Sequence, residues 1–133
     1  MTHSYQALII DDDTGNSEVL YELLSSESVT CKVIQDPRLI QNHMEKQTPP
    51  DVIFLDLEMP HIDGYEVLDL FKSDPQWSSV PVVACTIHVN EVQVAKSKDF
   101  HSFIAKPLDM DAFPSQLQRI LNDEPVWEIG RMQ

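Results

Sequence analysis

Five polar side chains hold the chemistry this sequence offers: Asp11, Asp12, Asp56, Thr86 and Lys106. Each stands at the end of, or directly after, a short apolar run, as in ALIIDD, VIFLD, VVACT and FIAK. Carboxylates gathered at one place raise each other's pKa, so they need a counter-charge. A set of oxygen ligands suits a hard divalent cation, and Mg²⁺ takes a few carboxylates, several waters and a phosphate oxygen in octahedral geometry. That combination points to phosphoryl chemistry. Lys106 supplies a second positive charge and Thr86 a hydroxyl donor, both directed at the oxygens of a transferring phosphoryl group. Asp56 is then the carboxylate nucleophile that accepts it.

The elements that must bring these residues together are readable in the hydrophobic pattern. Apolar, strand-like runs occupy residues 7–10, 29–34, 52–55, 80–85 and 102–105, with stretches of helical period between them. Val19, Leu20, Leu23 and Leu24 form one helical face, Leu39, Ile40 and Met44 a second, and Val67, Leu68 and Phe71 a third. Residues 90–98 form a weaker fourth helix with Val92 and Ala95 inward. Met110, Phe113, Leu117, Ile120 and Leu121 form the last. Strand and helix in alternation predict an α/β fold: a doubly wound, five-stranded parallel sheet with five helices. In such a sheet ligands gather beyond the carboxyl ends of the strands, where the strand order reverses. All five polar residues would meet there.

Helix starts agree with this reading. Asp13 is expected to cap the first helix, and Asp63-Gly64-Tyr65-Glu66 reads as a capping box for the third. Pro114 must sit early in the last helix, which favours Asp111 over Asp109 as its cap.

The chain has 133 residues, enough for one domain and its core. Its 22 acidic and 9 basic residues give a net charge of -13, which repels nucleic-acid backbones and anionic lipid surfaces. Cys31 and Cys85 lie in apolar stretches without metal-motif spacing and are read as reduced core residues. The N-terminal residues lack a secretory pattern and no stretch approaches membrane-spanning length, so the expected location is cytoplasmic. His3, His43, His61, His88 and His101 show no ligand spacing and are assigned to the surface.

Taken together, the acidic pair Asp11-Asp12, the block FLDLEMPHIDG from Phe54 to Gly64, Thr86 after its strand, and Lys106-Pro107 resemble the receiver domain of two-component response regulators, including single-domain chemotaxis-type members. The resemblance implies a flavodoxin-like receiver over residues 1–122 and an extension over 123–133. It implies that Asp56 is phosphorylated by a histidine kinase or a histidine phosphotransfer protein. Asp12 would contact Mg²⁺ most directly, Asp11 partly through water, and the backbone carbonyl of Glu58 would add a ligand beside Asp56. Lys106 would pair with the phosphoryl group, Thr86 would move to hydrogen-bond it, and Phe103 would match the aromatic that swings inward. The switched surface would be the fourth helix, fifth strand and fifth helix. Self-catalysed phosphoryl chemistry is implied, without turnover of an external substrate.

The position after the threonine, commonly small in the family, is here the β-branched Ile87. Screening of the aspartyl phosphate by Ile87 would lengthen its lifetime, with Glu58 and His88 tuning access from the rim. The turn before the fifth strand has Asp99 and Ser102 where glycines are usual. Two rival readings accompany the main one: a degenerate receiver acting only as an interaction module, and a phosphatase of the haloacid-dehalogenase type. The second wants an aspartate where Glu58 stands. The tail either frays or lays Trp127 and Ile129 onto the domain or a second copy, leaving a homodimer open. Kinase, downstream target and oligomeric state are not encoded by any motif.

Overall fold

In the computed structural model, which describes residues 4–59, 62–88, 90 and 92–128, the apolar runs form strands β1 (Gln6–Ile10), β2 (Thr30–Ile34), β3 (Val52–Asp56), β4 (Val82–Thr86) and β5 (Ser102–Ala105). Helices α1 (Thr14–Ser26), α2 (Ile40–Lys46), α3 (Gly64–Lys72), α4 (Val92–Ser97) and α5 (Phe113–Leu121) alternate with them. A two-residue strand, β6 (Trp127–Glu128), follows α5. The strands pair in parallel in the order β2-β1-β3-β4-β5-β6.

The winding explains why β3 and β4 are buried at every residue. Helices cover both faces of the sheet, so the central strands read as continuous apolar runs rather than alternating ones. Side chains alternate between two cores. Leu8, Ile10, Ile53, Leu55, Val82, Ala84 and Phe103 pack with Ile40 and Met44 of α2, Val67, Leu68 and Phe71 of α3, and Ala95 of α4. Ala7, Ile9, Val52, Phe54, Val83, Cys85 and Ile104 pack with Leu20 and Leu24 of α1 and Phe113, Leu117 and Ile120 of α5. The first core also buries Trp77, stacked on Phe71 at 5.7 Å between ring centroids.

Caps set the helix starts. The Asp13 carboxylate accepts the Asn16 N–H at 2.9 Å, and that of Asp63 accepts the Tyr65 N–H at 2.8 Å. At α5 the N-cap position is Ala112, which makes no side-chain cap bond, so the expected Asp111 cap is absent and the turn before the helix is closed by Asp109. Its Oδ1 accepts the N–H groups of Asp111 and Ala112 at 3.0 and 3.1 Å, and its carbonyl accepts that of Phe113 at 2.9 Å. A turn over residues 110–112 leads into the helix, so Pro114 still falls in the first turn, where its missing N–H is harmless.

Three expected core positions are exposed: Val19, Leu39 and Met110. Leu20 and Leu24 take the inward stripe of α1, Leu39 lies in the single 3₁₀ turn before α2, and Met110 lies in the turn before α5. α4 is also shorter than the expected segment 90–98, with Ala95 buried and Val92 half-buried.

β6 arises from residues read as an extension. Two residues are too few to show a period of two, so no hydrophobic pattern announces the strand. It is held by its flanks: the Phe103 N–H donates to the Val126 carbonyl at 2.7 Å, and the Val126 N–H donates to Ser102 Oγ at 3.0 Å. Val126 is buried, and Trp127 stacks on Phe103 with ring centroids 6.4 Å apart. Lys96 Nζ of α4 sits 5.5 Å from the Trp127 ring centroid. Among the described residues no helix is long and apolar enough to cross a membrane.

Candidate functional site

Strand order turns back at β1: β2 lies on one side of it, and β3, β4 and β5 follow on the other. Past the carboxyl ends of these strands the ladder bonds continue. The Asp11 N–H donates to the Ile34 carbonyl at 3.2 Å, that of Leu57 to Cys85 at 3.1 Å, and that of Lys106 to Thr86 at 2.9 Å. These bonds fix the backbone at the strand ends and bring the side chains of Asp11, Asp56 and Lys106 together, while Thr86 meets them through Glu58. A side chain at position 64 would lie 2.8 Å from Leu57 Cδ2, so Gly64 lets α3 start tight against the loop that follows Asp56.

One half of the site is ionic. Lys106 Nζ donates to Asp11 Oδ2 at 3.0 Å and lies 3.3 Å from Asp56 Oδ1. Asp56 Oδ1 also accepts the Glu58 N–H at 3.0 Å, and Asp11 Oδ1 accepts that of Asp13 at 2.9 Å. Asp11 and Asp56 are each 5% exposed, while Asp12 is open to solvent. Burial pushes the Asp11 carboxyl above its usual value, against the Asp13 N–H and the Lys106 charge that favour its ionised form. Burial works against the Lys106 ammonium too, but the nearby Asp56 and Asp11 charges outweigh it and hold that pKa above its usual value. Lys106 is thus a fixed cation between two carboxylates.

Carboxylate oxygens of Asp11, Asp12 and Asp56 lie within 4.8 Å of one another, the one such metal-ligand group among the described residues. Three hard oxygen donors from separate side chains, one of them open to water, fit a divalent cation that keeps part of its hydration shell.

The other half is not ionic pairing but a hydroxyl network. Thr86, wholly buried, donates its hydroxyl to Glu58 Oε2 and accepts the His88 N–H at 2.9 Å. The Ile87 N–H donates to Glu58 Oε1 at 3.3 Å, and His88 Nε2 lies 3.8 Å from the same oxygen. The Ile87 side chain itself is 61% exposed on the rim. Sequence reasoning placed Glu58 here through its carbonyl and as a rim residue, and missed its grip on Thr86. The only signal was a carboxylate two residues beyond Asp56.

Phe103 pairs in register with Ala84 and is fully buried, with Trp127 stacked over it. Of the histidines, His88 faces Glu58 and His101 bonds Asp123 and Ser102, while His43 packs edge-on against Trp77. His3 and His61 lie outside the described residues, as does Ile129. Beside the ionic half, a cavity of about 160 Å³ opens between α1 and the β5–α5 loop, with Val19, Leu108 and Met110 among its apolar walls and Asp56 and Lys106 at its floor.

The chain belongs to the response regulator receiver domain family, whose model matches residues 7–118. Stress response regulator protein 1 of Candida dubliniensis is 29% identical over 110 residues, covering 80% of this chain and 38% of that protein. This chain therefore spans little more than a third of that relative's length. The fold is that of the chemotaxis response regulator CheY4 of Vibrio cholerae (TM-score 0.79, 21% identity, 89% of this chain and 99% of that one). It also matches the receiver domain of the sensor histidine kinase PA1611 of Pseudomonas aeruginosa (TM-score 0.76, 22% identity, 90% and 99%), whose structure has a magnesium ion coordinated in the active-site cleft. The five-stranded, flavodoxin-like receiver expected from the sequence is present, with β6 added at its edge.

Proposed function

We propose that the chain is a phosphorylation-controlled switch of a two-component relay, with Asp56 as phosphoacceptor. The observation that carries this is Lys106 held between Asp11 and Asp56 at the carboxyl end of the sheet. Both Lys106 and the Glu58 N–H engage Oδ1 of Asp56, which leaves Oδ2 to attack phosphorus. The bond from phosphorus to the donor nitrogen of a phosphohistidine breaks as the new oxygen–phosphorus bond forms, and the imidazole leaves with a proton from solvent. Lys106 is close enough to follow the charge that moves onto the phosphoryl oxygens, and the Thr86 hydroxyl is the donor that moves to meet them.

Asp11, Asp12, Asp56 and the Glu58 carbonyl would hold Mg²⁺, which supplies further neutralisation of phosphoryl charge in both gain and loss of the group. Ile87, with Glu58 and His88, would govern how readily water reaches the aspartyl phosphate. Phe103 and the surface of α4, β5 and α5 would carry the change to a protein target. A histidine kinase or histidine phosphotransfer protein is the donor this chemistry fits. The net charge of -13 speaks against nucleic acid and anionic membrane as partners, and the two unbridged thiols support a cytoplasmic setting.

Intact mass after incubation with acetyl phosphate and Mg²⁺, compared between the wild type and Asp56→Asn, tests the reading. A single phosphoryl adduct is expected in the wild type and none in the variant. Absence of an Asp56-dependent adduct would overturn it.

A further inference from the structure

We infer that Glu58 is a positioning residue that holds Thr86 back: its carboxylate takes the hydroxyl proton that a phosphoryl oxygen on Asp56 must later claim. The inference rests on Asp56 being the acceptor. A threonine hydroxyl has one proton to donate, so Thr86 serves one acceptor at a time. In this structure that acceptor is Glu58 Oε2, and the His88 N–H at 2.9 Å on the same hydroxyl oxygen fixes how the group is turned.

Glu58 is itself anchored at both ends. Its backbone N–H bonds Asp56 Oδ1 at 3.0 Å, and its Oε1 accepts the Ile87 N–H at 3.3 Å. One residue therefore spans from the acceptor carboxylate to the switching hydroxyl, and it joins β3 to the residues that follow β4. Thr86 can turn to a phosphoryl group only by leaving a charged acceptor, and bonds to charged acceptors are about twice as strong as neutral ones. The exchange is thus between two anions competing for one donor, and its position is set by the difference between them. Without the Glu58 carboxylate the resting side of that exchange loses its partner, and the phosphorylated arrangement gains by comparison.

Removal of Glu58 also takes a negative charge from beside the entering phosphoryl group, and that effect needs no threonine. A double-mutant cycle separates the two. Initial rates of Asp56 phosphorylation by acetyl phosphate with Mg²⁺ are measured for the wild type, Glu58→Ala, Thr86→Ala and the double variant. Glu58→Ala is expected to raise the rate about tenfold when Thr86 is present, the size of one charged hydrogen bond, and about twofold or less when it is absent. An equal gain in both backgrounds, or none in either, would overturn the inference.

A second measurement stands apart from phosphorylation. In the unphosphorylated protein, exchange of the Ile87 and His88 amide hydrogens is expected to quicken about tenfold in Glu58→Ala, and unchanged exchange would sink the latch. Failure of the wild type to form any Asp56 adduct would instead strike at the assignment of function, and the amide measurement would still decide the latch.

Discussion

The two halves of the site solve the same problem in different ways. Around Lys106, buried charges are balanced against one another: two carboxylates share one ammonium, and an exposed third carboxylate waits at the mouth. Around Thr86, a neutral hydroxyl is satisfied by a carboxylate borrowed from the β3–α3 loop. The ionic half is assembled to receive charge. The hydroxyl half is already occupied, by Glu58. The two halves differ in their side-chain partners, Lys106 for Asp56 and the Glu58 carboxylate for Thr86, and they meet at Glu58, whose N–H bonds Asp56.

That contrast can be broken from the ionic side first. Asp12→Ala should abolish Mg²⁺-dependent phosphorylation, followed by intact mass across a Mg²⁺ titration. Lys106→Ala should slow phosphorylation about a hundredfold, in the range for loss of one preorganised charge donor, while leaving exchange of the Ile87 and His88 amides unaltered. Coupled amides would show that the halves are one unit.

Metal linkage gives the next effect. Asp11 is pushed up by burial, so its ionisation disfavours the folded state. Its contribution is fully present below the unfolded carboxyl value near 3.8 and is lost as pH rises through the higher folded value. At neutral pH the penalty is in force, and a bound cation relieves it. At tenfold excess over its dissociation constant Mg²⁺ should add about 1.4 kcal/mol, seen as a raised thermal midpoint at pH 7 that shrinks at pH 4. A midpoint indifferent to Mg²⁺ would remove the cation from the ionic half.

Smaller effects sharpen the boundary. Ile87→Ala should speed loss of phosphate from Asp56 severalfold if the exposed side chain screens it, and equal rates would reduce Ile87 to a backbone donor for Glu58. Asp13→Ala should cost about 1 kcal/mol of stability, measured by urea unfolding, with phosphorylation unchanged. Asp13 lies next to the metal group in sequence but its carboxylate serves α1.

What the sequence made legible was the ionic half and the frame that builds it. Residues at strand ends are forced together by a parallel sheet, so Asp11, Asp56, Thr86 and Lys106 could be placed from order alone. Asp13 was equally plain, because a cap is local. The Glu58–Thr86 bond was not, since it depends on how a loop folds back over the end of β4. The Asp111 cap failed because a turn over residues 110–112, closed by Asp109, precedes α5 and hides from helical period. Val19 and Met110 carry apolar side chains yet line the cavity beside Asp56, where their exposure belongs to the site rather than to the core.

The sixth strand has a consequence for how other chains can meet this one. An uncovered outer strand is a template on which a second copy or an extended peptide can be laid down. β5 offers no such template, because β6 and the Val126 carbonyl already take its outward hydrogen bonds. On that flank the margin passes to β6 itself, which at two residues is a much shorter template, with Lys96 over the Trp127 ring beside it. The longer template is the opposite margin of the sheet, where the five-residue β2 runs outermost and exposed Lys32 stands as a charged guard.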